Sequence, residues 1–315
     1  MQKVMAQAAV SFNQGYDAGY DDALLKTMQT AQTVQTVPIE VPNRSFDKDY
    51  KNGVYDGGEG IVDSILPDLD ILPDISVRQI IEAGIEHMRS RSHRVLGAPE
   101  VTGQIMNALN TKSPLSVIRL GDGELLTLAQ DVVLNREQVR KEGHFLKYAG
   151  VQLPDLAARD QLVQAIGSAD IVGIPKLRLP NFQPLAFSVF KAHGIDYRQL
   201  RLTLSTINYS IYMDGLLRGI LANRRVLVVG NSAPQLSQVL SLSGIRVTGA
   251  VAPVEGMHDI TRVMGEIAAR DFDIALVGAG IPAVVIVQRI ATELGKVAVD
   301  FGHLADSFVN GDSVL

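Results

Sequence analysis

Asp122 and Glu124 stand two residues apart in the hexapeptide Arg119-Leu120-Gly121-Asp122-Gly123-Glu124. Two carboxylates at that spacing can reach one hard divalent cation, Mg2+ or Mn2+. Such ions take oxygen ligands and commonly share them with substrate phosphates. An apolar run at 115–118 precedes the hexapeptide and a helix-like run at 125–129 follows it. The context is strand, glycine turn, helix, with both carboxylates expected in the turn. A purely structural reading competes with this one. Asp122-Gly123 can be a simple turn, and Glu124 an acidic residue favoured near a helix start by the macrodipole. Arg119 adds a guanidinium fork suited to a phosphate or to the carboxylates of the site.

Groups of this kind need a frame. From about residue 76 the sequence alternates between two patterns. Strand-like runs rich in Val, Ile and Leu fall at 116–120, 170–174, 201–204, 225–229, 246–250, 273–277 and 296–299. Helix-like segments fall at 155–167, 184–192, 207–221, 234–242, 259–269 and 282–294, after two earlier ones at 77–88 and 100–109. Continuous apolar strands indicate burial on both faces. Their alternation with helices predicts an α/β fold: a doubly wound, mainly parallel, Rossmann-like sheet with helices on both faces. Residues 76–315 are expected to form this domain. Residues 1–75 are expected to form an arm, helical over 1–36 and linker-like over 37–74, where Pro, Gly and Asp concentrate. A contact between copies of the chain is one use for such an arm.

In open α/β sheets ligands bind beyond the carboxyl ends of the strands, so the residues there carry the functional argument. Lys176 and Arg178 follow the second strand and could add positive charge. Asn208 and Tyr209 follow the third, where Asn commonly caps a helix and a base could stack on the tyrosine ring. Gly230-Asn231-Ser232 follows the fourth, as a cap before Pro234 or as an anion site at a helix start. It lacks the Gly-x-Gly-x-x-Gly of a dinucleotide site. Glu255 and His258 follow the fifth, and Gly278-Ala279-Gly280 the sixth. Asp300-Phe301-Gly302-His303 follows the last, where the aspartate could orient the imidazole or take a ribose hydroxyl.

Composition narrows the classes. The chain has 315 residues and a formal net charge of -5, which argues against a non-specific nucleic-acid binder. It has no cysteine, so disulfides, thiolate metal sites and a cysteine nucleophile are excluded. Residues 1–14 lack the basic-then-apolar pattern of a signal peptide. No apolar stretch is long enough to span a bilayer. The expected location is the cytoplasm.

The residues resemble the GT-D-type glycosyltransferases. The resemblance rests on the Arg-x-Gly-Asp-Gly-Glu element at 119–124, the terminal Asp-x-Gly-His at 300–303 and a strand–Gly–helix segment at 226–236. It runs from about Pro114 to the carboxyl terminus. It implies that Asp122 and Glu124 form the family's Asp-x-Glu motif and support binding of a metal and a nucleotide-diphosphate sugar. The implied activity is metal-dependent transfer of a sugar, from a UDP-sugar in the leading reading, to a glycan or glycoprotein acceptor. Arg119, Gly121, Asn208, Tyr209, Gly230, Asn231, Ser232, Gly280, Asp300 and Gly302 are the candidate donor-binding positions. A base for the acceptor hydroxyl would come from Glu255, His258 or His303. Two alternatives stay open: an NAD- or S-adenosylmethionine-dependent enzyme using Gly230 to Ser232, and a non-catalytic sugar-nucleotide-binding or scaffold subunit.

Overall fold

Parity of burial along the strands organises this protein. In β4 (Val226–Gly230), Leu227 and Val229 enter one apolar cluster, while Val226 and Val228 enter another. The same division holds in β6 (Ile274–Gly278), where Ala275 and Val277 part from Ile274 and Leu276. Successive side chains of a strand point to opposite faces, so the two clusters are the two faces of one sheet. The computed structural model describes residues 48–178 and 182–315. Within the described residues the sheet has seven strands in the order β3-β2-β1-β7-β6-β4-β5, all paired in parallel. The others are β1 (Leu115–Arg119), β2 (Ile171–Ile174), β3 (Leu202–Leu204), β5 (Val247–Val251) and β7 (Val297–Asp300). β5, at one edge, is only half-buried.

Helices cover both faces, as the alternation predicts. One face carries α5 (Asp122–Ala129), α7 (Leu156–Ser168), α8 (Phe182–Ala192), α12 (Ile260–Ala268) and α13 (Pro282–Leu294). The other carries α4 (Ala98–Thr111), α9 (Ile207–Met213), α10 (Leu217–Leu221), α11 (Ala233–Leu242) and α14 (Leu304–Val309). The helix expected over 207–221 is two, broken at Asp214-Gly215. Two short helices escaped the apolar-spacing argument. They are α6 (Arg136–Glu142), in which only Val139 is buried, and α14.

Residues 48–94 and 95–315 are separate compact units among the described residues. The first contains α1 (Lys48–Val54), a π-helical turn at Tyr55–Glu59, α2 (Gly60–Ile65) and α3 (Val77–His87). Helix therefore occupies 48–65, where composition suggested linker. α3 starts with a capping box between Ser76 and Gln79. The helix expected over 1–36 lies outside the described residues.

The order of strands creates two crevices. After β1 the chain turns to the face of α5, and after the adjacent β7 it turns to the face of α14. After β6 it turns to the face of α13, and after the adjacent β4 to that of α11. Where neighbouring strand ends send their chains to opposite faces, the loops part and leave a crevice for ligand.

Candidate active site

A cleft of about 820 Å³ opens over both crevices. Its lining draws on every strand end of the sheet, including Gly121, Asp122 and Glu124 after β1 and Gly302, His303 and Asp306 after β7. That volume suits a ligand of nucleotide size.

The two carboxylates do not sit in a turn, as expected from the sequence; they stand on the first turn of α5. Gly121 is the N-cap, and its N–H donates to Glu124 Oε2 at 2.7 Å. This backward reach of the third helical residue is half of a capping box, and it lets the helix begin three residues early. Gly123 N–H donates to Asp122 Oδ1 at 2.8 Å. Both side chains are buried in the cleft wall. The helix start stabilises their negative charge, and Glu124 takes the helix-start position that its structural reading gave it.

Arg119 is committed inside the protein and does not extend as a fork for phosphate. Its guanidinium donates to Ser205 O at 2.7 Å, to Asn208 Oδ1 at 3.2 Å, and to Asp300 O and Oδ1 at 3.2 Å each. It therefore ties the ends of β1, β3 and β7 together and fixes the Asp300 carboxylate. Gly302 makes room for it. With φ +51, and with a Cβ there falling on the Arg119 guanidinium, this position accepts no other residue without displacement. Burial raises the Asp300 carboxyl above its usual range, and the neighbouring Arg119 opposes that rise only in part. Asp300 thus answers to Arg119 and the Gly302 N–H, where the sequence had offered it to the His303 imidazole.

Other expected residues divide in the same way. Asn208 is buried, with Nδ2 donating to Phe301 O at 2.8 Å, so it braces strand ends and does not face the cleft. Tyr209 is buried in the core on the α9 face, and no base can stack on it. Gly230 is pressed against the Gly278 carbonyl. Asn231 and Ser232 do line the cleft, yet Asn231 Oδ1 accepts from Val254 N–H at 2.8 Å and Ser232 Oγ bonds Asp306 Oδ1 at 2.5 Å. Glu255, Gly280 and His303 line the cleft as expected. His258 is exposed and does not line it, nor do Lys176 and Arg178.

Sequence reasoning missed Phe145, Tyr148, Ala149, Gly150, Phe182 and Asp306, all of which line the cleft. Asp306 alone had a visible signal, three residues beyond His303 on a helix start. The segment at 143–151 has no periodicity to mark it.

The electrostatics of the cleft are one-sided. Asp122, Glu124, Glu255, Asp300 and Asp306 face it, against Arg119 and His303, and Arg119 is bonded to Asp300. The described residues contain no group of three or more His, Asp or Glu able to hold a metal by themselves. A cation held there by Asp122 and Glu124 would have to take most of its ligands from phosphates and water, as Mg2+ does.

The family match agrees with this architecture. The GT-D-like family model, described as a GT-D fold-like domain, matches residues 96–308, more than half of the chain. Curated proteins give no match. A solved structure described as "The highly conserved domain of unknown function 1792 has a distinct glycosyltransferase fold" superposes with a TM-score of 0.49 at 15% identity, over 69% of this chain and 82% of its own. Among the described residues no helix is long and apolar enough to cross a membrane.

Proposed function

Because this chain belongs to the GT-D-like family, a glycosyltransferase family, we propose that it moves a sugar from a nucleotide-diphosphate donor, a UDP-sugar, to a glycan or glycoprotein acceptor. Asp122 and Glu124 would hold Mg2+ or Mn2+ for the purpose. The observation that carries this reading is the sign of the cleft. A diphosphate entering a space faced by Asp122, Glu124, Glu255 and Asp306, with Asp300 already paired to Arg119, is repelled at several kcal/mol per close pair at protein-like dielectric. A cation on Asp122 and Glu124 removes that penalty. When bound, it supplies Lewis-acid neutralisation of the charge that develops on the leaving diphosphate.

The chain's own residues do the rest. The start of α5 fixes Asp122 and Glu124 through Gly123 N–H and Gly121 N–H. Arg119 holds Asp300 at the cleft floor. Glu255 and His303 face the cleft and are the groups able to take a proton from an acceptor hydroxyl. Gly230 to Ser232 gives little support to an NAD or S-adenosylmethionine site. Its side chains are spent on Val254 and Asp306, and Pro234 removes an amide from the first turn of α11.

Calorimetric titration with UDP, with and without Mg2+ or Mn2+, tests the reading together with UDP release from a panel of UDP-sugars. Asp122→Asn and Glu124→Gln are each expected to lower metal-supported UDP affinity and turnover by about 100-fold or more. Full affinity and turnover in both variants would end the assignment. Binding without turnover against any sugar would favour the non-catalytic subunit.

A further inference from the structure

The segment at 143–151, between α6 and α7, is tightly determined. Phe145 and Leu146 are buried. Ala149 O accepts from Ile281 N–H at 3.2 Å, and Gly150 O from Met257 N–H at 3.0 Å. Gly150 (φ +97) and Gly256 (φ +137) meet so closely that a Cβ on Gly256 would lie 2.7 Å from Gly150 O. The loop is thereby fastened to the loops that follow β5 and β6. In the middle of this fastened loop Tyr148 is 86% exposed while lining the cleft. Its N–H donates to Phe145 O at 2.9 Å, a bond any residue but proline makes. Nothing in the loop's own packing calls for an aromatic ring there.

We propose that Tyr148 is a stacking platform for a pyranose ring at the mouth of the cleft, a role that rests on the glycosyltransferase reading above. A pyranose presents a face of C–H groups that is apolar and weakly positive. The face of a phenol ring is apolar and negative, so the two stack. Because the loop is already held, little ordering entropy opposes the contact. The choice of a sugar over a nucleobase follows from position. Phe145, three residues earlier, lies 3.6 Å from where a Cβ on Gly123 would stand, between the two carboxylates. With a cation on Asp122 and Glu124, this loop would lie on the diphosphate and sugar side of a donor, and the ribose and base would lie farther off. Glu255, beside the Gly256 that touches Gly150, also lines the cleft and offers carboxylate oxygens to sugar hydroxyls.

Saturation-transfer NMR on the full chain with Mg2+ tests this, with methyl β-glucoside, methyl β-galactoside, N-acetylglucosamine, UDP-glucose and UDP as probes. The expected result is transfer to ring C–H protons of at least one sugar. Tyr148→Ala should weaken that binding about fivefold or more, and Tyr148→Phe should preserve it. An effect on the free sugars assigns the ring to the acceptor, and one confined to UDP-glucose over UDP assigns it to the donor. The proposal is overturned if Tyr148→Ala binds every probe as the wild type does, or if the wild type binds no sugar. An equal loss for UDP alone also overturns it, since the ring would then carry the base. A wild type that binds sugars through Tyr148 but not UDP with Mg2+ keeps this proposal and sinks the transferase reading.

Discussion

Replacing Gly302 by alanine adds one methyl group and removes no polar atom, yet it should be among the most damaging changes in the protein. The new Cβ falls on the Arg119 guanidinium, whose side chain is 13% exposed and whose partner Asp300 is 5% exposed. Breaking a buried pair by displacing one member costs about 3–5 kcal/mol. Placing a Cβ at φ +51 adds about 1 kcal/mol. The sum, about 4–6 kcal/mol, is a large part of the 5–15 kcal/mol that holds a typical domain. Gly295→Ala is the matched control, because Gly295 has φ +64 and nothing within 4 Å of its Cβ position. It should cost only the backbone share, about 1 kcal/mol. Urea unfolding followed by circular dichroism measures both. If the two variants differ by less than about 1 kcal/mol, Arg119 is not the keystone of the strand ends, and the account of how Asp300 is held is wrong.

Other expectations are direct. Glu255→Gln or His303→Gln, whichever replaces the base, should lower kcat by about 100-fold or more with a loss of the acidic limb of its pH profile, while His258→Gln stays near wild type. Arg225 lowers the Asp273 carboxyl to about 2 through a hydrogen bond and its charge. A depressed acid contributes stability that is complete above the unfolded value near 4 and lost as pH falls through 2, so the wild-type advantage over Asp273→Asn should vanish across that window. With side chains about 30% exposed, that advantage is about 1–2 kcal/mol at neutral pH, and acid titration of the urea midpoint reads it. In the amino-terminal unit, Ile81, Ile85 and Met88 on α3 and its end are exposed. Residues 52–77 carry acidic but no Lys or Arg side chains, whereas Arg78, Arg89, Arg91 and Arg94 follow. Arg78 and Arg89 already pair with Glu82 and Glu86 of α3, so a second copy laid against this unit would meet it mainly through the apolar side chains. If it does, Ile81→Lys with Ile85→Lys should shift sedimentation toward the monomer, and an unchanged sedimentation profile would refute that contact.

All seven strands were legible because each is a short run dominated by Val, Ile, Leu or Ala and bounded by turn residues, even where Ser116, Thr203 or Thr248 interrupts it. A buried parallel strand leaves that mark regardless of its neighbours. Strand order and parity were not legible, since they depend on which crossover goes to which face. The hexapeptide could be recognised, but its reading as a turn missed that Glu124 reaches back to cap its own helix. Tyr209 looked like a ligand contact because it follows a strand end. The register of α9 decides otherwise, sending it into the core with Ile207 and Ile211. Phe145 and Tyr148 were invisible because a loop held by backbone bonds to Ile281 and Met257 writes no pattern in its own residues.

The two crevices explain why the site needs distant parts of the chain. A single crevice between β1 and β7 brings together the carboxylates of α5 and the Asp300 to His303 end, and would suffice for a cation and a phosphate. The second, between β6 and β4, adds the 278–280 and 230–232 loops. The 143–151 loop is fastened to the chain after β6 through Ala149 and to the chain after β5 through Gly150. It thus couples the carboxylate end of the cleft, where Phe145 lies 3.6 Å from the position a Cβ on Gly123 would take, to the loop that carries Glu255. On the proposed function, the groups that would hold the leaving phosphate and face an acceptor would share one support. Their separation is then set by backbone packing at Gly150 and Gly256, and side-chain flexibility contributes little. A substitution at Gly256 should therefore alter sugar transfer more than UDP binding. This split between chemistry and affinity is what misplacement of one of two correctly bound partners produces.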